Sequence, residues 1–260
     1  MLRRLVVLAA LAVFAVVPAM CHRAQAQGPQ AQATQAPRSS FTPAQRAEIV
    51  EILRNALRTD PSILRDAVMV LQNADSERET TAARQAIATL GRSLTHAPGD
   101  PVAGNPDGDV TLVEFYDVRC PYCRRMLQPM AALLAQDRKL RVVFKDIPIL
   151  GPASVIGARA ALAAGRQGAY LKMREAMMTG PADITQDVVK TASARLGLDW
   201  ERLQRDMADP AIQARLDENI QIAHRLGIQG TPAYIIGDQM LPGAVTVAEL
   251  QTAIGSIRKP

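Results

Sequence analysis

The order of apolar periods along the 260-residue chain predicts an α/β fold with a long helical insertion and an N-terminal helical extension. Three observations carry this. Two runs rich in branched and aromatic residues, VTLVEFYD at 110–117 and LRVVFKDI at 140–147, flank one helical stretch, CPYCRRMLQPMAALLAQ at 120–136. Strand, helix and strand of these lengths make a βαβ unit, normally parallel and right-handed. Residues 152–226 are helical in pattern almost throughout, punctuated by GPAD, GLDW and ADPA. A ββα unit closes the chain: TPAYIIGDQMLPG reads as two short strands around a GD turn, and VTVAELQTAIGSI as a helix. With 48% hydrophobic residues, a chain of this length has enough apolar surface for a substantial core.

Three segments precede that domain. Arg3 and Arg4, the apolar run 5–17 and the small residues of AQAQ at 24–27 read as a secretory signal peptide over residues 1–26. An apolar run of about a dozen residues is too short for a membrane span, which needs roughly 20. A lipid attached at Cys21 is the alternative, disfavoured because Pro18 and Met20 stand where such sites carry an aliphatic and a small residue. Residues 27–40 are polar, alanine-rich and without apolar period, which reads as a flexible linker. The helical extension follows at 41–97. Thr42 supplies an N-cap, Pro43 the first helical position and Gln45 the capping-box partner. Ile49, Ile52, Leu53, Ala56 and Leu57 then recur on one face. A second helix opens at Asp60 and Pro61, with Leu64, Ala67, Val68 and Leu71 on one side. These stripes have little partner sequence of their own. They pack on the following domain or against a second copy of the chain. Removal of residues 1–26 takes away three arginines, so the formal charge falls from +5 to +2 (5 − 3). The basicity is largely a targeting feature, and no nucleic-acid partner is expected.

The segment 96–109, HAPGDPVAGNPDGD, is dense in glycine, proline and aspartate and marks a boundary or a hairpin at the start of the domain spanning 98–260. Within the insertion, Asp209 and Pro210 open a helix with Ile212, Leu216, Ile220 and Ala223 facing one way. Trp200, the one tryptophan, reads as an anchor of the helical block. Met126, Met130, Met173, Met177 and Met178 serve either packing or a soft substrate groove.

Without residues 1–26 two cysteines remain, Cys120 and Cys123. A disulfide across two intervening residues constrains the unfolded chain very little, so a structural role is weak. Zinc usually demands four ligands, and only His96 and His224 accompany the two thiols; no metal is expected. A redox pair fits the local pattern. With Cys120 as N-cap and Pro121 at the first helical position, the Cys120 sulfur faces free backbone N–H groups and the positive end of the helix dipole. Its thiolate is thereby stabilised, and Cys123, one turn inward, resolves the mixed disulfide. Pro121 and Tyr122 tune the equilibrium. Arg119, Arg124 and Arg125 add to the positive field, with a solvated face as the other reading of Arg124 and Arg125. A stabilised thiolate stabilises the reduced form and makes the disulfide a stronger oxidant.

Taken together, VTLVEFYDVRCPYC, VVFKDIPILGP, the helical insertion and GIQGTPAYIIG resemble the thioredoxin superfamily, and specifically the exported DsbA-like thiol–disulfide oxidoreductases, from about Pro101 to the C-terminus. The resemblance implies a thioredoxin-like fold with a cis proline, Pro232, after Thr231, lying against the cysteines. The exposed backbone beside it pairs with an extended substrate strand. It also implies a buried acid, Glu114, that relays the proton of Cys123, with Lys145 as its charge partner; a rim ion pair with no part in catalysis is the other reading of these two. A periplasmic location, cysteine-containing exported polypeptides as substrates, a DsbB-like or DsbD-like membrane redox partner and the lack of a cofactor come with it. The N-terminal helices look more loosely like the oligomeric ScsC-type branch, some of which isomerise disulfides. An oligomeric isomerase or reductase therefore stands beside the oxidase, and a non-enzymatic copper- or partner-binding module that reuses the fold is the third reading.

Overall fold

The computed structural model describes residues 40–259. The expectations for a signal peptide, for Cys21 and for nearly all of the linker fall outside the described residues. The chain divides into two units, Met1–Pro61 and Ser62–Pro260.

The first unit contributes helix α1, Pro43–Thr59. Its start is set as the sequence predicts: Gln45 N donates to Thr42 Oγ1 at 3.3 Å while Thr42 N donates to Gln45 Oε1 at 2.9 Å, the two halves of a capping box. No residue of α1 is buried, and Ile52 and Leu53 are 60% and 57% exposed.

The second unit opens with α2, Ser62–Leu90, of which Ala83, Ile87 and Leu90 are buried. Its N-terminal half leaves Leu64, Val70 and Leu71 in solvent. Gly91, at φ +48°, turns the chain into the short α3, Arg92–Thr95. A five-stranded sheet follows, in the order β1-β3-β2-β4-β5. β2 (Val110–Tyr116) and β3 (Leu140–Asp146) are parallel, as a βαβ unit requires. β4 (Ala233–Ile236) runs antiparallel to β2, and β5 (Gln239–Pro242) antiparallel to β4 about the turn that contains Gly237 at φ +60°. β1 (Val102–Gly104) pairs antiparallel with the outer edge of β3. It falls inside the glycine- and proline-rich segment that reads from sequence as a boundary or hairpin.

Alternation along the strands sorts side chains to the two faces of the sheet. Leu112, Tyr116, Val142, Phe144, Tyr234 and Ile236 belong to one cluster; Val113, Phe115, Val143, Ala233 and Ile235 belong to the other. The second face is covered by Ile87 and Leu90 of α2, Leu94 of α3, and Ile222 and Ala223 of α10 (Pro210–Arg225). The first face carries the active-site helices, the rest of the insertion with the start of α10, and the C-terminal helix.

The helix expected over 120–136 is two: α4, Pro121–Arg125, and α5, Leu127–Gln136. Pro129 accounts for the break, since it has no N–H for the Arg125 carbonyl and its ring crowds that oxygen. The insertion holds α6 (Pro152–Gly165), α7 (Tyr170–Thr179), α8 (Gln186–Arg195), α9 (Trp200–Met207) and α10. Alanines of α6 fill the sheet-facing side, and Met126, Met130, Met173, Met177 and Met178 are all buried in the same cluster, so packing is their role. Trp200 sits half-buried at the start of α9 against that cluster. Helix α11, Val247–Arg258, capped by Thr246 and Glu249, closes the fold.

Candidate active site

The site forms where β2 ends. Asp117, fully buried, accepts four hydrogen bonds: from the backbone N–H of Arg119 at 2.7 Å, Ile149 at 2.9 Å and Leu150 at 3.0 Å, and from Ser154 Oγ at 2.8 Å. One carboxylate thus fixes the loop leading to Cys120, the loop after β3 and the start of α6. Arg119 continues the work, donating to the carbonyls of Leu150 at 2.6 Å and Ala182 at 2.9 Å, while Arg124 donates to Gly180 at 3.1 Å. Arg125 lies over the Tyr122 ring at 4.4 Å. Arg119 and Arg124 therefore tie down loops of the insertion.

Cys120 is the N-cap of α4, with φ −67° and ψ 121° and Pro121 behind it at the first helical position. Both cysteines are free thiols. Cys120 keeps 4% of its surface in contact with solvent and Cys123 none. In its protonated form Cys120 Sγ–H donates to the Thr231 carbonyl at 3.2 Å. The Thr231–Pro232 peptide is cis.

The Cys120 thiol is depressed from its ordinary 9.0 to about 5. The hydrogen bond from the Cys123 side chain is the largest cause. Burial opposes it, and the Thr231 side chain and the backbone N–H groups of Cys123 and Tyr122 add to it. The order corrects the sequence argument: the backbone N–H groups at the helix mouth contribute, but α4 is five residues long and the neighbouring thiol does more. Burial, and then the hydrogen bond to Cys120, push the Cys123 thiol far up. One sulfur is ready as a nucleophile and leaving group while the other holds its proton.

Glu114 lies on β2 beneath this pair, fully buried. Its partner is Arg174 of α7, with Nη2 donating to Oε2 at 3.0 Å. The expected partner, Lys145, is elsewhere: its Nζ bonds Asp100 Oδ2 at 2.6 Å and the Ser93 carbonyl at 3.3 Å. The pairing of Glu114 with Lys145 is thereby corrected, and the register gives the reason. In the parallel β2/β3 ladder Lys145 is opposite Phe115 and Glu114 is opposite Phe144, so acid and lysine face opposite sides of the sheet. Burial raises the Glu114 carboxyl and Arg174 opposes that. Arg174 itself lies over the rings of Tyr116 at 4.2 Å and Phe144 at 4.5 Å. Tyr116 and Tyr170 both donate to the buried Asp146 carboxylate, the latter at 2.7 Å, and their own oxygens are 2.8 Å apart. Sequence reasoning missed Arg174, Asp146, Tyr170 and Tyr234; all lie outside the cysteine motif. Asp117 carried a signal, a carboxylate two residues before the loop amide it caps. Among the described residues no group of three or more histidine, cysteine or acidic side chains is placed to hold a metal ion.

The sequence profile of the DSBA-like thioredoxin domain matches residues 111–255. Among solved structures, a thioredoxin-like oxidoreductase from Silicibacter pomeroyi DSS-3 is 41% identical with a TM-score of 0.63, covering 65% of this chain and 98% of that one. A linker-deletion variant of Proteus mirabilis ScsC is 25% identical with a TM-score of 0.63, and covers 85% of this chain and 98% of its own. A curated relative, the Na(+)/H(+) antiporter NhaA 1 of Salinispora arenicola, is 29% identical over 184 residues, which are 67% of this chain and 28% of the antiporter. The chain thus spans little more than a quarter of that relative's length, and no described helix is long and apolar enough to cross a membrane.

Proposed function

The chain belongs to the DSBA-like thioredoxin family, whose fold is that of thiol–disulfide oxidoreductases, and we propose that it exchanges its Cys120–Cys123 disulfide with cysteines of exported polypeptides in the periplasm. The opposed titration of the two sulfurs carries this reading. In the oxidising direction a substrate thiolate attacks Cys120 Sγ, the Cys120–Cys123 bond breaks, and Cys123 takes a proton. A second substrate thiolate then attacks the substrate sulfur of the mixed disulfide, and Cys120 departs as a stable thiolate. Two electrons pass from substrate to enzyme, and a DsbB-like membrane oxidase removes them. The depressed Cys120 favours this direction, because stabilising the thiolate stabilises the reduced enzyme. Thr231 and cis Pro232 present backbone to the substrate strand, and Tyr122, Ile149 and Leu150 form an exposed apolar rim. The test is oxidative refolding of a reduced model substrate: the chain accelerates disulfide formation and Cys120→Ser abolishes it. Full activity of the serine variant would overturn the mechanism.

A second reading is favoured by the exposed apolar residues of α1 and of the first half of α2. Self-association through these helices would gather several sites for isomerisation, with a DsbD-like reductant keeping Cys120 reduced. Light scattering on the chain and on a Leu53→Glu, Leu71→Glu variant decides it. An oligomer that the variant dissolves supports assembly; a parent chain that is already monomeric removes the reading. Deleting residues 27–97 would be a poorer test, because it strips Ile87, Leu90 and Leu94 from the core.

A further inference from the structure

β2 and β4 pair with Glu114 directly opposite Tyr234, and alternation turns both side chains to the sheet face that carries Cys123. Both residues are fully buried. Arg174 takes one Glu114 oxygen, Oε2. The other, Oε1, and the Tyr234 hydroxyl have no hydrogen-bond partner among the described residues. An orphaned buried polar atom is costly, so two of them on side chains paired across a ladder need a reason beyond packing. A phenylalanine would fill the same space. The surroundings of the hydroxyl supply the reason. Burial chiefly, then the charges of Glu114 and Cys123, raise the Tyr234 phenol, with Arg174 opposing and Cys120 adding. The hydroxyl is thus within electrostatic reach of the acid and both sulfurs, while its own ionisation is suppressed. A neutral phenol accepts one hydrogen bond while donating another, which is what passing on a proton requires.

We propose that Tyr234 is the relay residue through which Cys123 and Glu114 exchange a proton. The inference rests on the exchange chemistry proposed above and adds the route of its proton. When the enzyme resolves a mixed disulfide, Cys123 Sγ–H passes its proton to Tyr234 Oη as Tyr234 passes its own to Glu114 Oε1. The Cys123 thiolate attacks Cys120 Sγ, the bond from Cys120 to the substrate sulfur breaks, and the substrate leaves as a thiolate with the electron pair. In the oxidising direction the protonated Glu114 returns its proton by the same path as Cys123 leaves. No further reactant is consumed. Arg174 holds Glu114 by the other oxygen and leaves Oε1 free for the proton.

Tyr234→Phe removes the hydroxyl and keeps the ring, which separates relay from packing. Stopped-flow kinetics with oxidised glutathione resolve two steps: attack by Cys120 to form the mixed disulfide, and release of glutathione by Cys123. The variant keeps the first step within about twofold and slows the second about tenfold or more. Glu114→Gln slows the same step, the double variant is no slower than the worse single one, and the pH profile of release loses the inflection due to Glu114. Thermal stability stays level or rises, since a desolvated hydroxyl is lost. A Tyr234→Phe enzyme that releases glutathione at the parent rate overturns the relay while leaving the exchange chemistry standing. Multiplicative losses in the double variant also overturn it. A parent chain that forms no mixed disulfide overturns the exchange chemistry and the relay together.

Discussion

Cys123→Ala takes away the side chain that does most to hold Cys120 as an anion. A hydrogen bond to a charged group is worth about 1.5–3 kcal/mol. At about 1.4 kcal/mol per pH unit, its loss raises the Cys120 midpoint by about one to two units. The parent titrates near pH 5, so the variant is expected at about 6 to 7. Cys123→Ser retains an O–H donor and is expected to keep most of the depression. The assay is thiolate absorbance in the ultraviolet against pH on the reduced proteins, checked by the pH dependence of alkylation at Cys120. Neither variant can form the internal disulfide, so oxidation does not distort the comparison. An alanine variant that titrates with the parent would refute the reasoning and hand the whole effect to the backbone N–H groups at the start of α4.

Three further outcomes follow from the structure. With Cys120 ionised above about pH 5 and Cys123 protonated, reduction takes up one proton per two electrons, so the midpoint potential should fall by about 30 mV per pH unit near neutrality and by about 60 mV below pH 5; a slope near 60 mV at pH 7 contradicts the assignment. Because the folded-state value is depressed, the stability that Cys120 lends the reduced over the oxidised form builds up as pH rises from about 5 towards the ordinary 9.0 and is lost as pH falls through about 5, which urea titrations of both forms below pH 9 measure; above it the raised Cys123 works the other way. Lys145→Met leaves Asp100 buried with only Arg215, at 3.1 Å, to compensate it, and should cost about 3 kcal/mol in urea unfolding while leaving the Cys120 titration where it was; a shifted Cys120 midpoint would return Lys145 to the site.

The parts that sequence reveals here are those decided locally. The βαβ unit shows because branched and aromatic residues cluster in 110–117 and 140–147, and the capping box of α1 shows because three side chains within four positions build it. β1 does not show: three residues beside glycines and prolines carry no period, and only the free edge of β3 makes them a strand. The break at Met126 was readable from Pro129, four residues past the carbonyl it leaves unpaired. The cysteine pair was plain, and so was the burial of Glu114 in a strand interior. The identity of its cation was not. That depends on strand register, which no residue type records, and on an arginine 60 positions away in the insertion.

The register also explains why the cation is an arginine from α7. On the face shared by Glu114, the neighbouring β3 presents Val142, Phe144 and the acid Asp146, with no cation to offer. A cation has to descend from the helices that cover this face, into a slot walled by the rings of Tyr116 and Phe144. A flat, weakly hydrated guanidinium enters such a corner of two rings set edge to face and meets both, whereas a compact ammonium would lose most of its hydration without gaining the stacking. The choice has a chemical consequence. A guanidinium does not give up its proton in a protein, so Arg174 fixes the local charge and takes no share in the traffic. The mobile proton is left to Cys123, Glu114 and the hydroxyl between them. The insertion thereby becomes part of the exchange chemistry: Asp146 orients Tyr116 and Tyr170, Tyr116 supports Arg174, and Arg174 decides which Glu114 oxygen is free.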